Sequence, residues 1–500
     1  MWTSDESPRD RRVDFSRVRP ATTPLESRAK IVATIGPASR PLAILKAMAR
    51  AGADVMRING AHAAPSEVAA VVRDVRRVER LLAKPLAVLL DLPGVKVRIG
   101  RFAGGSLELE TNMTVRLVAG SRGGPVTEPR IPVPRAVLEA VTRGSEVLLA
   151  DGSLALRVLR RDGAGVLACV EAGGSLRDRV GIHVRGAPHR GAVLTARDRE
   201  LAVAGVDAGV DALAVSFVRS PSDLHALRRV LDAAGRRTPI LVAKLERREA
   251  IAALDAILGA SDGVMVARGD LGLEFGPEAL PGLQKKILDE ALAHGRLAIV
   301  ATQMLESMTT AVRPTRAEAT DVANAIFDGA DAVMLSGETA VGVHPARVVA
   351  TMEGIVLAAE ADPHCPFAGD PRHPGPEADP TRPDRLVVRA AVRLAMDSAA
   401  DAIVVFTRGG QSARRLAKER PRCPIYAYAA DEHVRRGLLL SWGVRPRHLP
   451  ATKSTDATVA AVVSDLRRRA GLPSGSRVVL VMGAADDPTG ATSLVKLLTL

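Results

Sequence analysis

From Ala29 onward the chain repeats one pattern: a short, almost unbroken apolar run, a polar residue where the run stops, then a helix-length segment. The runs at 30–36, 54–58, 86–91, 211–217, 240–246, 264–266, 297–301 and 331–337 read as strands buried on both faces. Helices are expected near Pro41–Ala51 and Pro65–Lys84, and Thr195 is placed to cap another through the segment DRELAVAGVDAG. Eight strands alternating with helices favour a closed (β/α)8 TIM barrel over a smaller open sheet. The chemistry of such a barrel gathers where its strands end.

The rhythm breaks at Gly94. VKVRIG, SLELE, MTVRLV, EVLLADG, LALRVLR and VLACVEAGG are short strand candidates with glycine-rich turns, so residues 95–187 read as a small β-barrel domain inserted into a βα loop. The barrel is expected at 28–94 and 188–360, behind a charged, proline-containing flexible arm at 1–27. A Pro/Gly-rich connection at 361–384 leads to a C-terminal α/β domain at 385–500. There a helix near Arg385–Ser398 precedes the strand Ala402–Phe406, the turn TRGGQS at 407–412, a helix from about Ala413, and a glycine- and hydroxyl-bearing loop at 483–493.

Composition changes this picture little. Aromatic residues make up 2 % of 500, so the cores must be built from Ala, Val, Leu and Ile. A net charge of +13 raises the question of nucleic acid, but the basic residues are scattered, and two Trp and two Tyr offer little for bases to stack on. A positive field also attracts anionic metabolites. No run is long enough to span a membrane, and the polar start MWTSDESPRDRRVD lacks an apolar core, so a cytoplasmic protein with neither nucleic-acid nor membrane partner is expected. Cys169, Cys365 and Cys423 lie far apart without metal-ligand spacing, which fits a reducing compartment.

Three strand ends carry the candidate chemistry. Lys244 and Glu246 lie two residues apart, so both point to one face. Ala267, Arg268, Gly269 and Asp270 leave the next strand as a glycine-containing turn, offering backbone N–H groups and a carboxylate; Thr302 follows the strand after that. The carboxylates of Glu246 and Asp270 suit either ion pairs with the many arginines or a divalent metal with oxygen ligands. Lys244 suits either solvent or an anion.

The segments KIVATIGPAS, ARGDLGLE, ATQMLESM and RPTRAEATDVANAIFDGADAVMLSGETAVG together resemble the signatures of the pyruvate kinase family. The similarity runs from about Lys30 to Glu360 and continues more weakly to the C-terminus. It implies transfer of a phosphoryl group from phosphoenolpyruvate to ADP, giving pyruvate and ATP. It also implies Mg²⁺ or Mn²⁺ on Glu246 and Asp270, Lys244 at the phosphoryl group and enolate, and Arg57 on the phosphate. Thr302 would order the water that protonates the enolate. Ser216 and Phe217 would line the pocket with Ala267 to Asp270, and Asn59, His62 and Arg98 would face the nucleotide. A homotetramer is the assembly implied.

Departures from the family pattern cluster on cation and nucleotide handling. Ala61 and Leu92 replace two oxygen ligands of a monovalent cation, and Lys96 has appeared beside them, resembling the branch of the family that needs no potassium. Val95 replaces a proline and Val180 a lysine expected near the nucleotide phosphates. In the C-terminal domain, Thr407, Arg408, Gly409, Gly410, Gln411 and Ser412 resemble a sugar-phosphate loop for a phosphorylated effector, with Gln411 in place of the usual Arg. The alternatives are a barrel enzyme acting on a pyruvate enolate without ADP, and a poorly active scaffold or sensor.

Overall fold

The computed structural model describes residues 26–120, 129–163, 165–187, 192–368, 383–449, 454–483 and 492–500. The arm before residue 26 and most of the 361–384 connection and the 483–493 loop lie outside them.

Eight parallel strands close into a ring: β1 (Lys30–Ile35), β2 (Val55–Asn59), β3 (Ala87–Leu92), β4 (Ala212–Val215), β5 (Ile240–Leu245), β6 (Gly263–Ala267), β7 (Leu297–Ala301) and β8 (Ala332–Leu335). β8 pairs back onto β1 through Lys30 to Ala33 opposite Ala332 to Leu335. Both faces of these strands are covered, which is why they read as continuous apolar runs. The inward face is small and aliphatic, with Val32, Val55, Leu89, Ala214, Val242, Met265, Ile299 and Met334 in one cluster. The outward face meets the helices; Pro65–Leu82, for example, presents Val68, Val71, Val72, Val75 and Val78 along one stripe. Thr195 caps Ala196–Ala208 as the sequence predicts, its Oγ1 accepting from Asp198 N at 3.0 Å.

Between β3 and β4 the inserted unit holds a six-stranded sheet and a two-stranded ribbon. They share one core, in which Leu109 and Leu176 of the ribbon meet Leu117, Val147 and Leu156 of the sheet. One expected strand is absent. VKVRIG alternates like a strand but makes only one isolated antiparallel bridge, Arg98 opposite Gly181: Ile99 N donates to Val180 O and Ile182 N to Val97 O, after which Gly100 N turns to Pro132 O. Arg130–Val133, Gly174–Arg177 and Ile182–Val184 are strands that the apolar pattern does not announce, the first being bracketed by prolines.

The C-terminal unit is a five-stranded sheet of β9 (Ala402–Phe406), β10 (Ile425–Ala429), β11 (Val444–His448), β12 (Arg477–Met482) and β13 (Leu494–Thr499), in the order 11-10-9-12-13. β13 is antiparallel to β12 and was not expected. Leu439 and Leu440 reach from this unit into the inward cluster and plug the barrel floor. Beside them Lys418 and Arg420 both engage the buried carboxylate of Asp331, at the start of β8. Ser27 Oγ donates to Glu353 at 2.8 Å, and Ala29 N, just before β1, donates to Glu360 at 2.7 Å. No helix among the described residues is long and apolar enough to cross a membrane.

Candidate active site

Parallel closure brings the C-terminal ends of β2 to β7 to one rim. Lys244 leaves β5 with its ammonium 2.9 Å from Glu246 Oε1, 2.8 Å from Ser216 Oγ and 3.3 Å from Asp91 Oδ1. The spacing of 244 and 246 therefore does what the period of two requires. Burial alone would lower the lysine pKa, but Asp91 and Glu246 outweigh it and hold the ammonium above its ordinary value. Lys244 is a fixed cation here, not a base.

Arg57 sits within β2. Its Nε and Nη2 both donate to Asp91 Oδ2, at 2.9 and 2.7 Å, and its Nη1 donates to Thr34 Oγ1 at 3.0 Å. Asp91 thus anchors both cations of the rim. Although its burial opposes ionisation, Lys244 and then Arg57 hold its carboxyl below the usual range.

On the acidic side, Glu246 is 1 % exposed and accepts the Phe217 N–H at 2.6 Å. Burial raises its pKa; Lys244 opposes that rise, and the neighbouring Asp270 adds to it. Asp270 is half-buried and makes no hydrogen bond or ion pair among the described residues. Asp91, Glu246 and Asp270 stand against Arg57 and Lys244, an excess of one negative charge with an unpartnered carboxylate. This donor set fits a divalent cation completed by substrate oxygens. It does not close a site alone: no group of three or more Asp, Glu, His or Cys able to hold a metal occurs among the described residues.

The ARGD segment differs from expectation. It is the first turn of a helix, Arg268–Phe275, rather than a free turn. Gly269 N is not open either, since it donates to Thr302 Oγ1 at 2.9 Å, while that hydroxyl donates to Ala301 O at 2.6 Å. The Arg268 guanidinium turns away from Lys244 onto Thr302 O at 2.7 Å and Asp321 Oδ1 at 2.8 Å. It steadies a strained corner, for Thr302 and Gln303 both have left-handed backbones, φ 70° and 54°. Phe217, at φ 56°, is a third such residue. Strain of this kind costs about 1–3 kcal/mol per residue and gathers at functional sites.

The nucleotide-side candidates are less tightly placed. Asn59 Oδ1 accepts from Ala61 N at 3.1 Å, and His62 is exposed. Arg98 Nη1 donates to Arg179 O at 2.9 Å, inside the inserted unit. Lys96 does not join Asn59 and Asp91; its ammonium is 2.7 Å from Asp151 Oδ1, also in the inserted unit. Val180 packs at the edge of the inserted unit's apolar core. In the C-terminal loop, Gly410 N donates to Thr407 Oγ1 at 2.9 Å and Ser412 Oγ meets Thr492 Oγ1; the helix begins at Gln411, two residues earlier than expected.

Sequence reasoning missed a second polar cluster where the inserted unit meets the barrel. Arg247 Nη1 is 2.9 Å from Glu274 Oε1 and 3.3 Å from His183 Nδ1, and Arg185 Nε donates to Leu273 O at 3.1 Å. It also missed Thr34 and the anchoring part played by Asp91. A lone hydroxyl inside the apolar run KIVATIG was the available signal for Thr34.

A barrel whose C-terminal rim holds two fixed cations, an unpartnered carboxylate and strained corners has the charge pattern of a site for an anionic ligand. Comparison with known proteins sharpens this. Residues 26–349 match the family described as "Pyruvate kinase, barrel domain", and residues 385–498 match "Pyruvate kinase, alpha/beta domain". The chain is 39 % identical over 469 residues to a pyruvate kinase of Mycobacterium tuberculosis, covering 94 % of this chain and 97 % of that one. It is 38 % identical over 480 residues to pyruvate kinase 2 of Synechocystis, covering 95 % and 80 %. A crystal structure of a pyruvate kinase from Cryptosporidium parvum superposes with a TM-score of 0.85 at 28 % identity, over 95 % of this chain and 96 % of that one. The chain belongs to the pyruvate kinase family.

Proposed function

We propose that the protein transfers the phosphoryl group of phosphoenolpyruvate to ADP, giving pyruvate and ATP in glycolysis. The observation that carries this is Lys244, held charged between Asp91, Ser216 and Glu246 at the rim of a barrel of this family. A preset cation costs no reorganisation as charge shifts from the phosphoryl group to the enolate. Arg57, braced by Asp91 and Thr34, orients the phosphate. Ser216, Phe217 and the segment Ala267–Asp270 wall the pocket. Thr302 orders the water that protonates the enolate; a neutral hydroxyl is a poor base by itself.

Glu246 and Asp270 would hold Mg²⁺ or Mn²⁺, which supplies positive charge against phosphoryl and enolate oxygens when bound. Asn59 and His62 of the barrel and Arg98 of the inserted unit serve the nucleotide.

Potassium is not required in this reading. Leu92 is fully buried and apolar, Ala61 has no side-chain oxygen, and Asp91 is already occupied by Arg57 and Lys244. Lys96 supplies the charge instead, entering from its place beside Asp151. We assign the inserted unit to 95–187 and the C-terminal unit to 385–500, the latter taking a phosphorylated effector on Thr407–Ser412 and one interface of a cytoplasmic homotetramer.

A coupled assay of the purified protein with phosphoenolpyruvate, ADP and Mg²⁺ tests the central claim. Pyruvate formed only when ADP is present supports it. Turnover of phosphoenolpyruvate without ADP would place the protein among other enolate-handling barrels. A monomeric mass by light scattering would overturn the assembly.

A further inference from the structure

The inserted unit rests on the helix Arg268–Phe275, whose first turn carries Asp270. Arg185 reaches Leu273 O from the unit, and a Cβ on Gly152 would lie 2.8 Å from Leu273 Cδ2, so the two surfaces meet closely. Beside that contact His183, on the strand Ile182–Val184, faces Arg247 and Glu274 of the barrel. Arg247 Nη1 serves both Glu274 Oε1 and His183 Nδ1, at 2.9 and 3.3 Å. One guanidinium therefore fastens the inserted unit to the barrel.

The same guanidinium lies over the Phe217 ring, its Cζ 5.2 Å from the centre. Phe217 is left-handed at φ 56°, and its N–H is the donor that fixes Glu246 Oε2. A Cβ on Gly94, where the chain leaves for the inserted unit, would lie 2.9 Å from Phe217 Cδ2. Phe217 thus touches both the exit to the unit and the residue that fastens its return, while its backbone holds a rim carboxylate.

The cluster is buried and unevenly paired. Glu274 is 2 % exposed; Arg247 takes its Oε1, while its Oε2 makes no hydrogen bond among the described residues. His183 Nε2, 3.8 Å from that oxygen, and Arg247 Nε make none either. Arg247, Arg185, Lys96 and Arg248 surround the imidazole, with Glu274 and then Glu249 on the barrel side. Arg185 and Lys96 are already paired with Glu146 and Asp151, at 3.1 and 2.7 Å. An arginine only donates, so neutral His183 accepts at Nδ1 and carries its own proton on Nε2. Protonation would remove that acceptor and add positive charge among four cations.

We propose that Arg247 is a positioning residue, fastening the inserted unit through His183 and Glu274 and, through Phe217, holding Glu246 in place while that unit is seated. The part played by Glu246 rests on its reading as a metal ligand in phosphoryl transfer. The seating stands on the contacts alone. Because His183 is held neutral only when seated, a released unit takes up a proton near the ordinary pKa of about 6.5. Seating is therefore complete above that pH and weakens as the pH falls below it.

The test follows the unit directly. Spin labels are placed by Ala136→Cys on the inserted unit and Ala233→Cys on the barrel, both exposed, with Cys169, Cys365 and Cys423 replaced by alanine. Their separation is measured by pulsed electron resonance, and Mn²⁺ affinity is measured without substrates. At pH 8 the parent is expected to give one narrow separation. Arg247→Gln should broaden it and weaken Mn²⁺ binding by roughly tenfold or more, as losing the support behind a metal ligand does. Arg247→Lys keeps the charge facing Glu274 and should recover most of the narrow population. At pH 5.5 the parent should broaden, whereas His183→Gln, whose amide oxygen still accepts from Arg247, should stay narrow. Absence of ADP-dependent turnover in the parent would remove the phosphotransferase reading and leave the separations standing. A parent-like separation or parent-like Mn²⁺ affinity in Arg247→Gln, no recovery in Arg247→Lys, or equal broadening of parent and His183→Gln at pH 5.5 would overturn the proposal.

Discussion

Asp91 Oδ1 lies 3.3 Å from Lys244 Nζ although the two residues stand on β3 and β5, which are not neighbours in the barrel. β4 between them contributes Ser216, whose Oγ is 2.8 Å from the lysine and 3.4 Å from the aspartate. The other oxygen of Asp91 holds Arg57 from β2. One carboxylate therefore ties four consecutive strands of the ring to a single charge pattern.

Asp91→Asn is expected to preserve shape while releasing both cations. Misplacing a catalytic group slightly can cost roughly 10²-fold, and kcat/KM for phosphoenolpyruvate should fall by about that much. The loss should fall on both kcat and KM, because Arg57 and Lys244 are displaced together. Steady-state kinetics within twofold of the parent would remove Asp91 from the site's machinery.

Lys244→Met should abolish most turnover, by roughly 10²–10³-fold or more. It also leaves Asp91 and Glu246 buried without their shared cation, and breaking a buried pair typically costs about 3–5 kcal/mol. A lowered denaturation midpoint should accompany the lost activity, so the assay belongs well below that midpoint. Near-parent turnover in this variant would refute the role assigned to the lysine.

Activity in sodium or tetramethylammonium buffer, with potassium added back as the only variable, tests Lys96. Little change on adding potassium, with collapse in Lys96→Met, is the expected pair of results. Because Lys96 rests against Asp151, Asp151→Asn should be far milder than Lys96→Met. Strong stimulation of the parent by potassium would mean that oxygens other than those of Ala61 and Leu92 supply a cation site.

His183 gives the fold a pH dependence of known sign. Burial, then Arg247, Arg185, Lys96 and Arg248, lower its pKa from 6.5 to about 3, despite Glu274 3.8 Å away. The folded protein keeps it neutral where the unfolded chain would protonate it. Stability is therefore fully present above 6.5 and is lost as pH falls through the window down to about 3. His183→Gln should flatten the drop in urea midpoint between about pH 7 and about pH 5. An unchanged slope in that variant would assign the acid sensitivity to other groups.

What could be read along the chain was whatever backbone period and chain order impose. Apolar runs marked the eight barrel strands because both faces of each are covered, and a two-residue spacing put Lys244 and Glu246 on one face. A change of rhythm at Gly94 marked the insertion. Parallel closure then implied that polar residues at strand ends share a rim, which located most of the candidate site before any contact was visible. The same logic failed at VKVRIG, whose alternation is that of a strand but which pairs only through the single bridge Arg98–Gly181, and at β13, whose partner β12 precedes it across a loop.

The tertiary structure alone decided which side chains are paired. Arg268 and Lys244 look alike as basic residues at strand ends, yet one braces the strained Thr302–Gln303 corner and the other faces the rim. The Gly269 N–H is taken by a hydroxyl more than thirty residues on, Lys96 finds an aspartate of the inserted unit, and the Arg414 guanidinium has no hydrogen bond or ion pair among the described residues. The physical reason is reach. Period and propensity fix the direction in which a side chain leaves the backbone, whereas its partner depends on which distant strand closure brings within about 3 Å of its charged tip.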